Sequence, residues 1–345
     1  MVERVLLVKL AALGDAVMAS TLVPAIRARW PRAELAWVAG RSVAPLVRSM
    51  QEVDRVIEVD DAALLGRNRI AATCAMLRAW RDIGRGWDLA LIAHTDPRYA
   101  LLARTSGAAD VRRFAEARAP RAGRWHGTEY ARLLDDDADG SIQHHVDATD
   151  PPLASLRLDT LPPAQVPPGA GALVLVAPGG GRNVLRDDVL RRWPTESWKG
   201  TVEALVADGH RVVAIGGSGD VAEGAACATA GAVDLTARTS LLELMALIRS
   251  SEVVVTHDAG TLHLAILFGR PTVALFGPTR PEERIPSGAP VTVLSRARGL
   301  ACAPCYDGHR YAICASNRCL NEVPVQDVVH AVRTILQQSA TAPRG

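Results

Sequence analysis

One stretch constrains the chain more than any other: Val253 to Thr279, VVVTHDAGTLHLAILFGRPTVALFGPT. It predicts a strand, a tight turn, a helix, a second strand and a loop. Val253, Val254 and Val255 form a β-branched apolar run suited to a strand buried on both faces. Asp258-Ala259-Gly260 turns the chain, and Gly260 leaves no Cβ to crowd a ligand. Thr261 to Phe268 is apolar enough for a short packed helix, which Gly269-Arg270-Pro271 stops. Thr272 to Phe276 is the next strand. Open parallel sheets hold ligands at the carboxyl ends of their strands, against helix N-termini. The first turn after Gly260 therefore offers free N–H groups to an anion, most plausibly a phosphate, and His263 lies on that turn. The competing reading is an ordinary βαβ unit capped by Asp258.

The rest of the chain repeats this alternation. Arg4 to Lys9 reads as a strand, Ala11 to Asp15 as a turn, and Ala16 to Trp30 as a helix kinked at Pro24. Leu35–Val38, Arg55–Val59 and Trp87–Ala93 read as strands. Pro45–Met50 and Leu64–Gly84 read as helices. Strand and helix in alternation imply a parallel sheet covered on both faces. Pro151-Pro152, Pro162-Pro163 and Pro167-Pro168-Gly169 interrupt the pattern and mark a linker. Beyond it come a strand at Ala172–Ala177, a helix at Thr195–Asp208, a strand at Arg211–Ile215 and a short one at Val233–Thr236. The helix Leu241–Ile248 leads into the organising stretch, and Val325–Gln338 closes the chain as an amphipathic helix. The length of 345 residues agrees with two domains. They are read as 1–160 and 171–322, with 161–170 between them and 323–345 as closing helix and tail.

Composition excludes some classes. A net charge of +2 and 4% aromatic residues argue against a nucleic-acid surface. No apolar run is long enough to span a bilayer, and Met1-Val2-Glu3-Arg4 leads into a strand without a signal-cleavage pattern. A cytoplasmic protein is expected, with at most peripheral contact with a membrane.

Several residues are candidates for chemistry. Asp15 stands where the first strand gives way to its helix. It is either a helix N-cap or a carboxylate that takes a proton from a hydroxyl nucleophile. Pro178-Gly179-Gly180-Gly181-Arg182 and Gly216-Gly217-Ser218-Gly219-Asp220 are loops that let backbone approach a ligand, but lack the Walker lysine and the dinucleotide spacing. Arg112, Arg113, Arg118, Arg121, Arg124 and His126 form a basic loop-like segment. It would meet an anionic acceptor, although a solvated positive face is the plainer reading. Asp135-Asp136-Asp137 with Asp139 reads as a solvated acidic turn, and His144-His145 as structural. Cys302, Cys305, Cys314 and Cys319 are spaced C-x2-C-x8-C-x4-C. That spacing fits a structural zinc, paired disulfides or free thiols, with His309 as a further possible ligand.

These motifs, taken in order, resemble glycosyltransferase family 9, the ADP-heptose heptosyltransferases. The resemblance rests on Lys9 to Asp15 with Val17, Pro24 and WPRAELAWVAG, then Arg191-Arg192-Trp193-Pro194. It continues through Ser240–Ile248, His257-Asp258-Ala259-Gly260, His263-Leu264-Ala265, Arg270-Pro271 and Phe276-Gly277-Pro278-Thr279. The cysteine cluster also resembles one found in family members. The resemblance covers about residues 4 to 335. It implies an α/β fold of GT-B type, two Rossmann-like domains with parallel sheets facing a cleft, and a monomer. It implies Asp15 as catalytic base. On the donor side it implies Arg191, Asp258, Gly260 and His263; Gly179, Gly180, Gly217, Ala259 and Thr261 are assigned to the same side. Gly14, His94, Arg121 and Arg124 are assigned to the acceptor side. Family members carry Thr or Ser where this chain has Ala259, and Thr261 is the substitute hydroxyl.

The implied reaction is an inverting, metal-independent transfer of a heptose or related sugar from an ADP-sugar such as ADP-heptose to an acceptor hydroxyl. No cofactor is required. The acceptor implied is the lipopolysaccharide inner core. A small-molecule acceptor in antibiotic or other secondary metabolism is the alternative. Readings from other classes are a sugar-nucleotide epimerase or hydrolase on the same scaffold, and a non-catalytic nucleotide-sugar binder.

Overall fold

The computed structural model describes residues 2–114, 121–135, 150–180, 187–306 and 311–341. Arg118, Gly181, Arg182, Asp136, Asp137, Asp139, His144, His145 and His309 lie outside the described residues. The chain divides into two compact units, Met1–Leu161 and Pro162–Gly345. The division falls within the proline-rich run, where missing N–H donors and fixed φ favour extended connecting backbone.

The first unit is a five-stranded sheet. Its strands are β1 (Arg4–Val8), β2 (Glu34–Gly40), β3 (Arg55–Val59), β4 (Leu89–Ile92) and β5 (Asp110–Arg113), in the order β3-β2-β1-β4-β5. Every pairing is parallel. The second unit has β6 (Leu173–Ala177), β7 (Arg211–Ala214), β8 (Val233–Asp234), β9 (Val253–His257), β10 (Thr272–Leu275) and β11 (Val291–Leu294). They run β11-β10-β9-β6-β7-β8, again all parallel. Each sheet reverses its winding direction beside its first strand, between β1 and β4 and between β6 and β9. Such a switch point leaves a crevice at the carboxyl ends of the two central strands.

Buried β-branched and leucine-rich strands produce these sheets. All five residues of β6 and all five of β9 are buried. With side chains alternating across the pleat, Val174, Val176, Val253 and Val255 share one face. There they pack with Trp198, Val202 and Leu205 of the helix Thr195–Ala207, and with Val328 and Val332 of the closing helix Val325–Thr341. In the first unit Leu6, Val8, Ala36, Val38 and Ile57 pack against Met76, Ala79 and Ile83 of the helix Arg69–Ile83. Each unit therefore has its own apolar core.

Several expectations are corrected. The helix expected over 16–30 is two helices, Leu13–Ala19 and Leu22–Arg29. Pro24 sits in the first turn of the second. Its ring excludes the carbonyl four residues back, at Ser20, which is where the break falls. The helix expected over 64–84 is likewise two, Asp61–Leu65 and Arg69–Ile83. Between them Asn68 accepts from the N–H groups of Ile70 and Ala71 and caps the longer helix. Arg112 and Arg113 lie on the edge strand β5, not in a loop. Strand β11 carried no strong pattern, because no residue of VTVL is fully buried.

Candidate functional site

The residues with chemical potential gather at the two switch points, one in each unit. In the first unit the chain leaves β1 at Lys9, which is only 1% exposed. The Lys9 Nζ lies 3.2 Å from Asp15 Oδ2 and 5.4 Å from the centre of the Tyr130 ring. Asp15 is the third residue of its helix. The N-cap position belongs to Ala12, which makes no side-chain cap. The N-cap reading of Asp15 is therefore set aside, and its carboxylate, about one-third exposed, faces the buried ammonium.

His94 follows β4, beside β1. Its Nδ1 accepts from the Asp96 N–H at 2.9 Å, which leaves the proton of the neutral ring on Nε2. The imidazole stacks on Tyr99 with ring centres 4.1 Å apart. Burial, followed by the nearby Lys9 charge, pushes the His94 pKa down to about 4. Burial also pushes the Tyr99 phenol up to about 12. At neutral pH the imidazole and the phenol are therefore both neutral, beside the Lys9–Asp15 contact. Gly14 is buried within the same helix as Asp15.

Arg121 and Arg124 both meet Glu129, the first through its backbone and the second through its side chain. The Arg121 N–H donates to Glu129 Oε2 at 3.0 Å, and Arg124 Nε lies 3.4 Å from Glu129 Oε1. Glu129, fully buried, also pairs with Arg132. Glu129 belongs to the helix His126–Ala131, which also carries Tyr130 to Lys9.

In the second unit β6 and β9 end side by side, and their loops meet. A Cβ added at Gly180 would come within 3.1 Å of the Ala259 Cβ, so the loop after β6 lies on the turn after β9. Gly180 has a φ of +115°, a conformation that L side chains resist. Gly179 is glycine for another reason: Asp220 fills the space a Cβ would need. Asp220 accepts from the Gly180 N–H at 3.2 Å and the Gly217 N–H at 2.8 Å, which joins the two glycine loops. His257, fully buried, donates from Nδ1 to the Gly179 carbonyl and accepts at Nε2 from the Trp193 N–H, both at 2.8 Å. Burial drives its pKa down to about 4. His257 is thus a neutral structural clamp between the glycine loop and the Arg191-Arg192-Trp193 segment.

Asp258 is the electrostatic centre. Its Oδ2 lies 3.6 Å from Arg191 Nη1 and 3.7 Å from Arg284 Nε, and accepts from Thr279 Oγ1 at 2.8 Å. Burial opposes its ionisation, but Arg191 and Arg284, followed by His263, outweigh burial and hold Asp258 below the usual carboxylate range. Arg191 also donates to the Asp258 carbonyl at 3.3 Å. Burial works against the Arg191 charge too. Asp258, Tyr311 and Asp188 overcome it and raise its pKa. Arg192 donates from Nε to the Gly180 carbonyl at 2.9 Å. The helix Gly260–Leu267 starts at this point, with Thr261 half-buried in its first turn and His263 buried. The positive dipole end and the leading backbone N–H groups of a helix suit an anion.

The structure thus brings Gly179, Gly180, Arg191, Asp258, Ala259, Gly260, Thr261 and His263 to one switch point, with Gly217 joined through Asp220. Arg284, Tyr311 and Asp188 belong to none of the sequence motifs, whereas Thr279 ends the Phe276-Gly277-Pro278-Thr279 motif. Lys9 was noticed only as part of a motif, although a lone lysine at the end of an apolar strand is itself a signal. Arg284 and Tyr311 carry none, because they come from loops distant in sequence.

All six cysteines carry free thiols. Among the described residues no group of three or more His, Cys, Asp or Glu side chains is arranged to hold a metal ion. No helix among them is long and apolar enough to cross a membrane.

Two parallel, doubly wound sheets in one chain, each with a polar cluster at its switch point, define an α/β protein of GT-B type. Residues 186–312 match the family model Glycosyltransferase family 9 (heptosyltransferase). In that segment, and over the stretches aligned with curated relatives, the chain is similar to glycosyltransferase family 9. A stretch of 116 residues is 31% identical to lipooligosaccharide heptosyltransferase 2 of Haemophilus influenzae, covering 32% of this chain and 34% of the relative. The chain thus aligns with about a third of that relative's length. The solved ADP-heptose lps heptosyltransferase II of E. coli superposes with a TM-score of 0.72 at 19% identity, covering 98% of this chain and all of that one. A family 9 glycosyl transferase from Veillonella parvula superposes with a TM-score of 0.74 at 18% identity, over 97% of this chain and 98% of its own. The dodecameric, iron-containing glycosyltransferase TibC of E. coli has a TM-score of 0.59 at 14% identity, over 98% and 77% of the two chains. At such identities the structural likeness concerns the fold alone.

Proposed function

We propose that this protein is an inverting glycosyltransferase that moves a heptose or related sugar from an ADP-sugar to an acceptor hydroxyl. The observation that carries the reading is the Arg191–Asp258 arrangement at the second switch point, within the segment matching the family model. A buried carboxylate fixes an arginine beside a helix N-terminus, and the two positive ends are suited to a diphosphate. Asp258 serves this site by holding Arg191 and Arg284, and its Oδ2 is the oxygen that meets both arginines and Thr279.

Asp15 is the base in this reading. It accepts the proton of the acceptor hydroxyl, and that oxygen attacks the anomeric carbon from the face opposite the leaving group. The bond from the anomeric carbon to the diphosphate oxygen breaks, and its electron pair leaves with ADP. Arg191 and the first turn of the helix Gly260–Leu267 receive the charge gathering on the β-phosphate. These cationic groups can supply the stabilisation that a divalent ion gives elsewhere, which supports transfer without an added metal. His94, with its proton on Nε2, can donate a hydrogen bond to an acceptor oxygen. Transfer to a lipopolysaccharide-type acceptor draws support from the lipooligosaccharide and lipopolysaccharide heptosyltransferases to which the chain is similar, and a cytoplasmic setting is part of the same proposal. A small-molecule acceptor uses the same chemistry.

Calorimetric titration with ADP-heptose, UDP-sugars and GDP-sugars, without added metal, tests the donor. Selective binding of ADP-heptose is expected. Binding of a UDP- or GDP-sugar in its place would overturn the assignment of donor, and no binding to any of them would overturn the transferase reading. Incubation with ADP-heptose and either acceptor class then separates the two acceptors by product formation.

A further inference from the structure

Arg191 is held from a second side, by a part of the chain that the proposed reaction does not use. Its Nε donates to the Tyr311 hydroxyl at 2.6 Å. That hydroxyl donates in turn to Asp188 Oδ2 at 3.2 Å. The Arg191 Cζ lies 5.7 Å from the Tyr306 ring centre and 5.9 Å from that of Tyr311. The two rings are themselves 4.7 Å apart. Both tyrosines belong to the cysteine-rich segment. They pair as an antiparallel bridge, and the Ala312 N–H donates to the Cys305 carbonyl at 3.0 Å. The Cys305 and Tyr306 N–H groups both donate to the Pro278 carbonyl, in the loop after β10. The segment is thus pinned beside Thr279, the residue that donates to Asp258.

We infer that Tyr311 is a positioning residue for Arg191, which makes Tyr311 and the neighbouring Tyr306 part of the anion site. A guanidinium presents its donors in a rigid plane. Asp258 takes the Nη1 edge, and Tyr311 takes Nε. With both held, rotation about the terminal bonds of the side chain is blocked, and the remaining donors keep one direction. Two aromatic faces alongside favour the cation further. Burial pushes the Tyr311 phenol well up, with Arg191 opposing the shift, so the hydroxyl keeps its proton for Asp188 at any working pH. Tyr311 does not itself meet the ligand. Its effect passes through Arg191, and the inference therefore rests on the proposed role of Arg191 in binding the diphosphate.

The test is a double-mutant cycle in the full chain, with ADP as the probe and calorimetry as the readout. Tyr311→Phe keeps the ring and removes the hydroxyl. It is expected to weaken ADP binding about tenfold, the scale of a hydrogen bond to a charged group, while the acceptor KM stays unchanged. Arg191→Ala is expected to weaken ADP binding at least as much. The pair is expected to be no weaker than Arg191→Ala alone, because the tyrosine has then nothing to orient. Additive losses would overturn the inference, as would normal ADP binding by Tyr311→Phe beside a defective Arg191→Ala. Normal binding by Arg191→Ala would instead overturn the donor-site reading together with the inference. Should Tyr311→Phe lose its fold by circular dichroism, Asp188→Asn removes the strong acceptor for the same hydroxyl. It should weaken ADP binding in the same direction in the intact segment, and unchanged binding there would equally overturn the inference.

Discussion

At the scale of single residues, charge and tautomer decide what each group can do. Asp15 faces a buried ammonium and stands partly open, so it can receive a proton. Asp15→Asn is expected to lower turnover about 10²–10⁴-fold, the usual contribution of a general base, while ADP affinity stays near normal. Turnover close to that of the parent would remove Asp15 from the mechanism. His257 makes a prediction about stability. Its pKa falls from the ordinary 6.5 to about 4 in the folded chain, so the unfolded state binds the proton more readily. The stabilisation is complete above pH 6.5 and is lost as pH falls from 6.5 toward 4. At its limit the loss is about 3 kcal/mol. Denaturant titrations at pH 7, 5.5 and 4.5 should show the decline, and His257→Gln should flatten part of it. The residues proposed for the donor were legible in sequence because Asp258, Gly260 and His263 lie within one short run. Arg284 was not, since nothing local distinguishes a buried arginine from a solvated one.

At the scale of elements, the loops after the strands are set by what packs against them. Gly179→Ala would drive a methyl into the Asp220 carboxylate and disturb its bonds to Gly180 and Gly217. A loss of about 1–3 kcal/mol is expected from such overpacking, measurable as a lower urea midpoint. Asn68→Ala removes the cap of the helix Arg69–Ile83 and should cost about 1 kcal/mol. Its effect should leave ADP affinity unchanged, whereas Gly179→Ala should weaken it. Strands with β-branched runs, such as β6 and β9, were readable because burial on both faces demands that composition. Helix breaks were less readable. Pro24 announced a break, but its ring acts on the carbonyl four residues earlier, so the break moved to Ser20. The edge strands β5 and β11 were unreadable because an edge needs few buried side chains, and backbone pairing alone defines it.

At the scale of the whole molecule, two separate cores belong to two units. The residues proposed for ADP lie in the second. Calorimetric melting with ADP at about a hundred times its Kd should stabilise that unit by about 2.7 kcal/mol. The transition of the first unit should stay in place, and an equal shift of both would contradict the assignment of donor residues to one unit. The alternation of strand and helix, the proline-rich division and the runs that form the carboxyl ends of the central strands are readable from the residues alone. These are written in local periodicity and local backbone chemistry, which act over a few residues. Tertiary structure alone decided which loops meet. It placed β6 beside β9, brought Gly180 against Ala259, set Lys9 on Asp15, and carried Tyr311 to Arg191 across 120 residues of chain. Such contacts depend on the order of strands in a sheet and on ion pairs that form only when burial removes competing water, and neither leaves a periodic mark in the sequence.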